Sequence, residues 1–152
     1  MVPRRPVLAT AAVLGALLGS VALAPSASAA ANPYRATTIC GPGYRVLVER
    51  PIDFRRASYG RLVFLRNDRA STFCAVAIKT SLVGTPSWTD VSLARPRARK
   101  YESDGNFFSY YAGPVYLKGT KTDTCMLYSG SMQIPRRRTT LAAGSFRNPW
   151  AC

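Results

Sequence analysis

The sequence predicts an all-β protein, a small antiparallel β-sandwich or barrel-like domain with two disulfides. Three observations predict it: short apolar runs with period-two alternation, turn residues between these runs, and four cysteines in a chain of 152 residues. Period-two alternation is typical of half-buried strands, and short strands at regular spacing are typical of sandwiches and barrels. No segment after residue 30 shows sustained apolar spacing of 3.6 residues, which a helix would need.

The first thirty residues have the features of a secretory signal peptide. Arg4 and Arg5 precede an uncharged run rich in Ala, Leu and Val, which ends in small residues at 27–31. This order predicts cleavage near residue 30 and export, by the general or the twin-arginine route. We expect residues 31–152 to form a single secreted β domain with a basic C-terminal segment at about 133–152. No transmembrane segment is expected in the mature chain.

The strands are predicted from the apolar runs of the mature chain. Residues 62–65 are apolar on both faces, and turn signals such as Asn67-Asp68 and Asp104-Gly105 separate neighbouring runs. Gly113-Pro114 interrupts an aromatic-rich run and predicts a break or a bulge. The residues before the first strand are expected to be a short lead-in. The predicted strands cover 44–49, 62–65, 74–79, 88–93, 107–117 and 125–128.

The four cysteines of a small exported domain predict disulfides, since export leads to an oxidising environment. Cys74 shares a face with Val76 and Ile78, and Cys125 shares one with Leu127, so both are expected to point inward. We therefore predict a Cys74–Cys125 bridge. A Cys40–Cys152 bridge would then join the two ends of the mature chain.

Four segments, in order, are similar to those of a known family. Residues 40–44 read Cys-Gly-Pro-Gly-Tyr, and residues 73–80 form a Cys-containing strand that ends in Lys-Thr. A block at 103–115 contains Tyr-Tyr-Ala-Gly-Pro-Val, and residues 125–131 read Cys-Met-Leu-Tyr-Ser-Gly-Ser. The chain resembles the spore-associated protein A family of small secreted actinobacterial proteins. The resemblance implies association with spores and aerial growth, and brings no catalytic residue or ligand with it.

Basic residues dominate the charge of the chain. Residues 31–152 contain 19 basic and seven acidic residues, and 15 of the basic ones are arginine. Arginine suits bidentate contact with phosphate or carboxylate groups. We expect two clusters to bind an anionic cell-wall or matrix polymer, and nucleic acid without sequence specificity; the alternative is a charge that is spread evenly and maintains solubility. The clusters are Arg95, Arg97, Arg99 and Lys100, and Arg136, Arg137 and Arg138.

The aromatic block at 107–116 has two interpretations. Its rings are expected to pack in the core or across strands, where aromatic residues pair well. Alternatively, rings that point outward could stack on sugars and make the domain a carbohydrate-binding module. The candidate stacking residues are Phe108, Tyr110, Tyr111 and Tyr116.

The absence of histidine removes the commonest general base and the Ser–His and Cys–His nucleophile pairs. The acids are sparse, and their spacing selects no glycosidase pair among Glu49, Asp53, Asp90, Glu102 and Asp104. We therefore expect no enzymatic activity, no cofactor and no metal site. The prediction is a non-enzymatic protein of the cell or spore surface; a paired-carboxylate hydrolase and a protease inhibitor are minor alternatives.

Overall fold

The computed structural model describes residues 31–96, 101–119, 125–134 and 137–147, the last of these as backbone. The predicted signal peptide lies outside the described residues. The described residues form one short helix and eight strands: α1 (Ala36–Cys40), β1 (Arg45–Phe54), β2 (Ala57–Asn67), β3 (Thr72–Lys79), β4 (Ser87–Ala94), β5 (Glu102–Phe108), β6 (Tyr111–Lys118), β7 (Leu127–Ile134) and β8 (Arg137–Arg147).

All strand pairs are antiparallel, which confirms the all-β prediction. The strand order is β5-β4-β7-β8-β1-β2-β3-β6. The first four and the last four strands of this order form two halves. Within the described residues, the ladder between the halves is one residue pair, Asp53 of β1 with Ala143 of β8. The main core lies between the halves, because Phe64 of one half stacks on Tyr128 of the other with ring centroids 4.8 Å apart.

The outer face of β2 and β3 is also buried. Val63, Leu65, Val76 and Ile78 pack there beneath α1. This second layer explains why residues 62–65 are apolar on both faces and why all four are buried, as predicted. The lead-in contains a helix, α1, because a β-sheet with two apolar faces needs cover on both.

The disulfide predictions are wrong. Cys74 is bonded to Cys40 at the end of α1, with Cα atoms 6.2 Å apart, so neither Cys74–Cys125 nor Cys40–Cys152 forms. Cys74 does share a face with Val76 and Ile78, but this face meets α1 rather than the core between the halves. Cys125 is also disulfide-bonded, and its partner lies outside the described residues.

The edge strands β5 and β6 adjoin and differ from the prediction. The predicted strand at 107–117 is divided at Ser109-Tyr110, and Asp104-Gly105 lies within β5 rather than in a turn. Gly105 pairs with Asp90 of β4, and a side chain at Gly105 would meet the Asp90 Cβ at 3.1 Å. Pairing with β4 therefore outweighs the local turn preference of Asp-Gly.

Gly113 and Pro114 form the predicted irregularity as a bulge in β6. Ala77 pairs with Ala112 and Ala75 with Val115, which leaves two residues of β6 opposite Val76. The extra residue lets both Ala112 and Val115 face the main core.

Candidate anion-binding surface

Arginine side chains are concentrated on the β1–β2 hairpin. Seven of the nine arginines whose side chains are described are exposed, and the other two are half-buried. Six of the nine lie on this hairpin, which β1 and β2 form by pairing from Arg45 with Arg66 to Phe54 with Ala57. The hairpin therefore presents positive charge along its whole length: Arg45, Arg50, Arg55, Arg56, Arg61 and Arg66.

At the base of the hairpin, where β1 begins and β2 ends, the Asp68 carboxylate forms ion pairs with two arginines. The Nε atoms of Arg45 and Arg66 lie 2.8 Å and 2.7 Å from the two oxygens of Asp68. The hydrogen bond from Arg45, together with the charges of both arginines, lowers the pKa of Asp68. Arg66 also lies over the ring of Phe73, 5.1 Å from its centroid. These two guanidiniums are therefore engaged within the protein.

Halfway along the hairpin, the outer face carries a shallow pocket of about 170 Å³. Its floor is apolar and includes Val63 and Ile78, while Arg35 and Arg61 lie at its rim. Arg61 donates to Glu49 at 3.1 Å, so the rim has one paired and one exposed guanidinium. Because Glu49 also lines the pocket, its rim carries charges of both signs and selects no class of ligand.

At the tip of the hairpin, Arg55 and Arg56 form the two-residue turn between β1 and β2. Both are exposed, and both have positive φ angles, 48° and 67°. Arg55 lies over the ring of Phe54, 5.3 Å from its centroid. The sequence alone predicts no turn here, because neither position is the Gly or Asn that usually marks a two-residue hairpin turn. For this reason no site was predicted at these two arginines.

The structure describes part of the two predicted arginine clusters. Arg95 is exposed after β4 and donates to the carbonyl of Lys118. Arg137 and Arg138 begin β8, whereas Arg97, Arg99, Lys100 and Arg136 lie outside the described residues. Ala94, beside Arg95, pairs with Leu127 of β7, and Arg137 pairs with Ile134. Seven residues of strand separate these points, about 23 Å, so Arg95 and Arg137 lie at opposite ends of β7.

The four candidate stacking residues do not form one platform. Phe108 packs against the main core, and Tyr111 packs on the outer layer with an edge-to-face contact to Tyr34 at 5.0 Å. Tyr110 is 37% exposed and Tyr116 is 43% exposed. The Tyr116 hydroxyl donates to the carbonyl of Cys40 at 3.0 Å, at the other end of β6. Two of the four rings therefore pack against the rest of the protein, and the other two are exposed.

Phe107, the first residue of the aromatic block at 107–116, is the most exposed ring of that block. It is 62% exposed and lies on β5 with an edge-to-face contact to Trp88 at 5.8 Å. Alternation along β5 places Phe107 and Phe108 on opposite faces of the strand.

Lys79 is the most unusual titratable residue among those described, and its sequence context predicts no role for it. Its side chain is 1% exposed, and burial lowers its pKa to about 8. The Nζ atom donates to the carbonyls of Thr85 at 2.7 Å and Phe108 at 3.0 Å, and to the Ser87 hydroxyl at 2.6 Å. A Ser–Lys pair can act as a nucleophile and base, but here both residues are buried and the amine has three acceptors. The arrangement joins β3, β4 and β5.

The five acidic candidates are dispersed. Glu49 pairs with Arg61, Asp90 accepts from Trp88 and Ser131, and the Asp104 carboxylate accepts from the Gly113 amide at 2.8 Å. Asp53 and Glu102 are exposed on β1 and β5. Within the described parts of the chain, no group of three or more His, Cys, Asp and Glu residues could hold a metal ion. No helix there is long and apolar enough to span a membrane.

The comparisons with known proteins support the resemblance noted from the motifs. Over 112 residues the chain is 30% identical to spore-associated protein A of Streptomyces coelicolor, covering 72% of this chain and 70% of that protein. The chain belongs to the spore-associated protein A family. No family model matches the sequence, and no solved structure matches it.

The most specific of the family-like segments, residues 103–115, lies where β5 and β6 adjoin. Asp104 of β5 accepts from the amide of Gly113 in β6, across the two edges of the sheet. A side chain at Gly113 would meet the Ala75 carbonyl at 2.8 Å, and the φ angle of this residue is +96°. The segment therefore has a structural function in this member of the family, which is to bring the two edges together.

Proposed function

We propose that this member of the spore-associated protein A family is a non-enzymatic, exported protein that attaches electrostatically to an anionic polymer of the cell envelope or spore surface. The observation that carries the proposal is the exposure of seven arginines, together with a net charge of +14 on the whole chain. Guanidinium groups at the surface can contact phosphate or carboxylate groups without a preformed cavity. The name of the relative, a spore-associated protein, supports the place of action.

The proposal is tested by binding of the secreted protein to purified cell walls, to spores and to DNA across a salt titration. We expect binding at low salt that weakens steadily as salt rises, since screening shortens the range of surface charges. Replacing Arg95, Arg137 and Arg138 by Gln tests the predicted clusters against the hairpin arginines. Absence of binding to all three targets at low salt would show that the proposal is wrong.

A second candidate function is glycan binding by exposed aromatic rings. The observation that favours it is the pair formed by Tyr34 and Tyr110, which are 40% and 37% exposed with centroids 5.2 Å apart. Glycan binding that persists at high salt and is lost in Tyr110→Ala would favour this function. Tyr111→Ala is a weaker test, since Tyr111 also packs against the outer layer and against Tyr34.

A further inference from the structure

The tip of the β1–β2 hairpin contains residues that are unfavourable for its backbone geometry. A two-residue hairpin loop with positive φ at both positions has the φ values of a type I′ turn, which strongly favours Asn-Gly. Here Arg55 and Arg56 occupy both positions. Side chains with a Cβ are disfavoured in this left-handed region. The backbone of the tip is therefore less favourable than that of an Asn-Gly turn, and both of its arginines are exposed.

The charges at the tip also differ from those elsewhere on the hairpin. Arg45, Arg61 and Arg66 each lie in an ion pair with Glu49 or Asp68. Within the described residues, neither Arg55 nor Arg56 forms an ion pair, and Asp53 forms none with them. The two guanidiniums at the tip of the hairpin thus remain available to an external anion.

We infer that the Arg55–Arg56 turn is the contact point for phosphate groups of a phosphodiester polymer. This inference rests on the proposed function and identifies the chemical class of the polymer. The acceptor directions of a carboxylate lie in one plane, whereas the oxygens of a tetrahedral phosphate accept donors from more than one direction. Two exposed arginines in one turn suit the second group.

The decisive variant is Arg55→Asn with Arg56→Gly, which installs the favoured sequence of a type I′ turn. We expect its melting temperature to equal or exceed that of the wild type, because the backbone is relieved. We expect binding to a glycerol-phosphate polymer and to single-stranded DNA to fall at least about tenfold, with a shallower dependence on salt. Retained stability with lost binding separates a functional tip from a structural one.

The matched control is Lys118→Gln, compared with Arg56→Gly alone, since each of these variants removes one exposed charge. Lys118 pairs with Thr72, and Thr72 pairs with Asn67 at the end of β2 that lies away from the tip. The eleven residues of β2 place this end about 30 Å from the tip, well beyond the screening length at physiological salt. The control variant is expected to bind within about threefold of wild type, and Arg56→Gly is expected to lose more.

Three results would overturn parts of this picture, and they are distinguishable. Wild-type protein that binds neither polymer at low salt would overturn the proposed function itself. A tip variant that binds as well as the control would overturn the assignment of the tip and leave the proposed function in place. An equal loss of binding to polyglutamate would overturn the assignment of phosphate as the recognised group.

Discussion

Strands β3 and β4 have the same length, but their outward faces meet different surroundings. Every residue from Phe73 to Lys79 is buried in β3, because the main core covers one face and α1 covers most of the other. In β4, buried and half-buried residues alternate, since only one face meets the core. The difference shows that one half of this sheet needs a second cover, and that a five-residue helix with a disulfide supplies it.

The largest effect on stability is expected from removing the disulfide that holds α1 over the outer face of β3. Cys40→Ser with Cys74→Ser opens a link between residues 34 positions apart and should lower the free energy of unfolding by about 3–4 kcal/mol. Denaturant unfolding measures the loss. Faster hydrogen exchange at the amides of Thr38, Ile39 and Gly41 would locate it in α1, and unchanged exchange there would contradict the role assigned to the disulfide.

Adding a hydroxyl group to the outward face of β3 or to that of β4 tests the same comparison. Val76→Thr buries a hydroxyl beneath α1 and should destabilise the protein by about 2 kcal/mol. Ala94→Ser adds a hydroxyl to the half-buried outward face of β4 and should stay within about 0.5 kcal/mol of wild type. Equal losses in thermal unfolding would mean that the two faces do not differ as described.

Lys79 lies where the halves meet and should make stability depend on pH. Burial lowers its pKa to about 8 in the folded protein, whereas an unperturbed lysine has a pKa of 10.5. Between these values the unfolded chain binds more protons, so stability should rise as pH increases. We expect a gain of about 2 kcal/mol between pH 8 and pH 10, measured by urea unfolding.

Lys79→Met is the control for this pH dependence, because it removes the titrating amine. The stability of this variant should not rise over the same interval, whatever its absolute value. A wild-type profile that rises no more than that of the variant would contradict the effect of burial on Lys79.

The smallest effect is expected at the contact between the edges of the sheet. Asp104→Ala leaves the Gly113 amide without its acceptor and should cost about 1 kcal/mol. Glu102→Ala removes the same charge from an exposed position two residues earlier on β5 and should cost less than about 0.5 kcal/mol. If thermal unfolding shows the two variants to be equally stable, the Asp104 contact does not join the two edges.

Part of the candidate site was visible in the sequence and part was not. The excess of arginine and the family motifs are properties of composition and order, so they could be read directly. The Arg55–Arg56 tip could not, because its sequence lacks the Gly or Asn that marks such a turn. The separation of Arg95 from Arg137 depends on the pairing of β4, β7 and β8, which residues distant in sequence decide.

The sequence by itself determined the all-β class, the doubly apolar residues 62–65, the alternation of β4 and the bulge at Gly113-Pro114, because each is a local pattern of side chains. Only the tertiary structure decided which face of β3 meets which partner, and hence that Cys74 bonds Cys40. Alternation specifies that residues share a face, but it does not say what covers that face. The same reason explains why β8 and the buried Lys79 escaped prediction: pairing and burial come from neighbours remote in the chain.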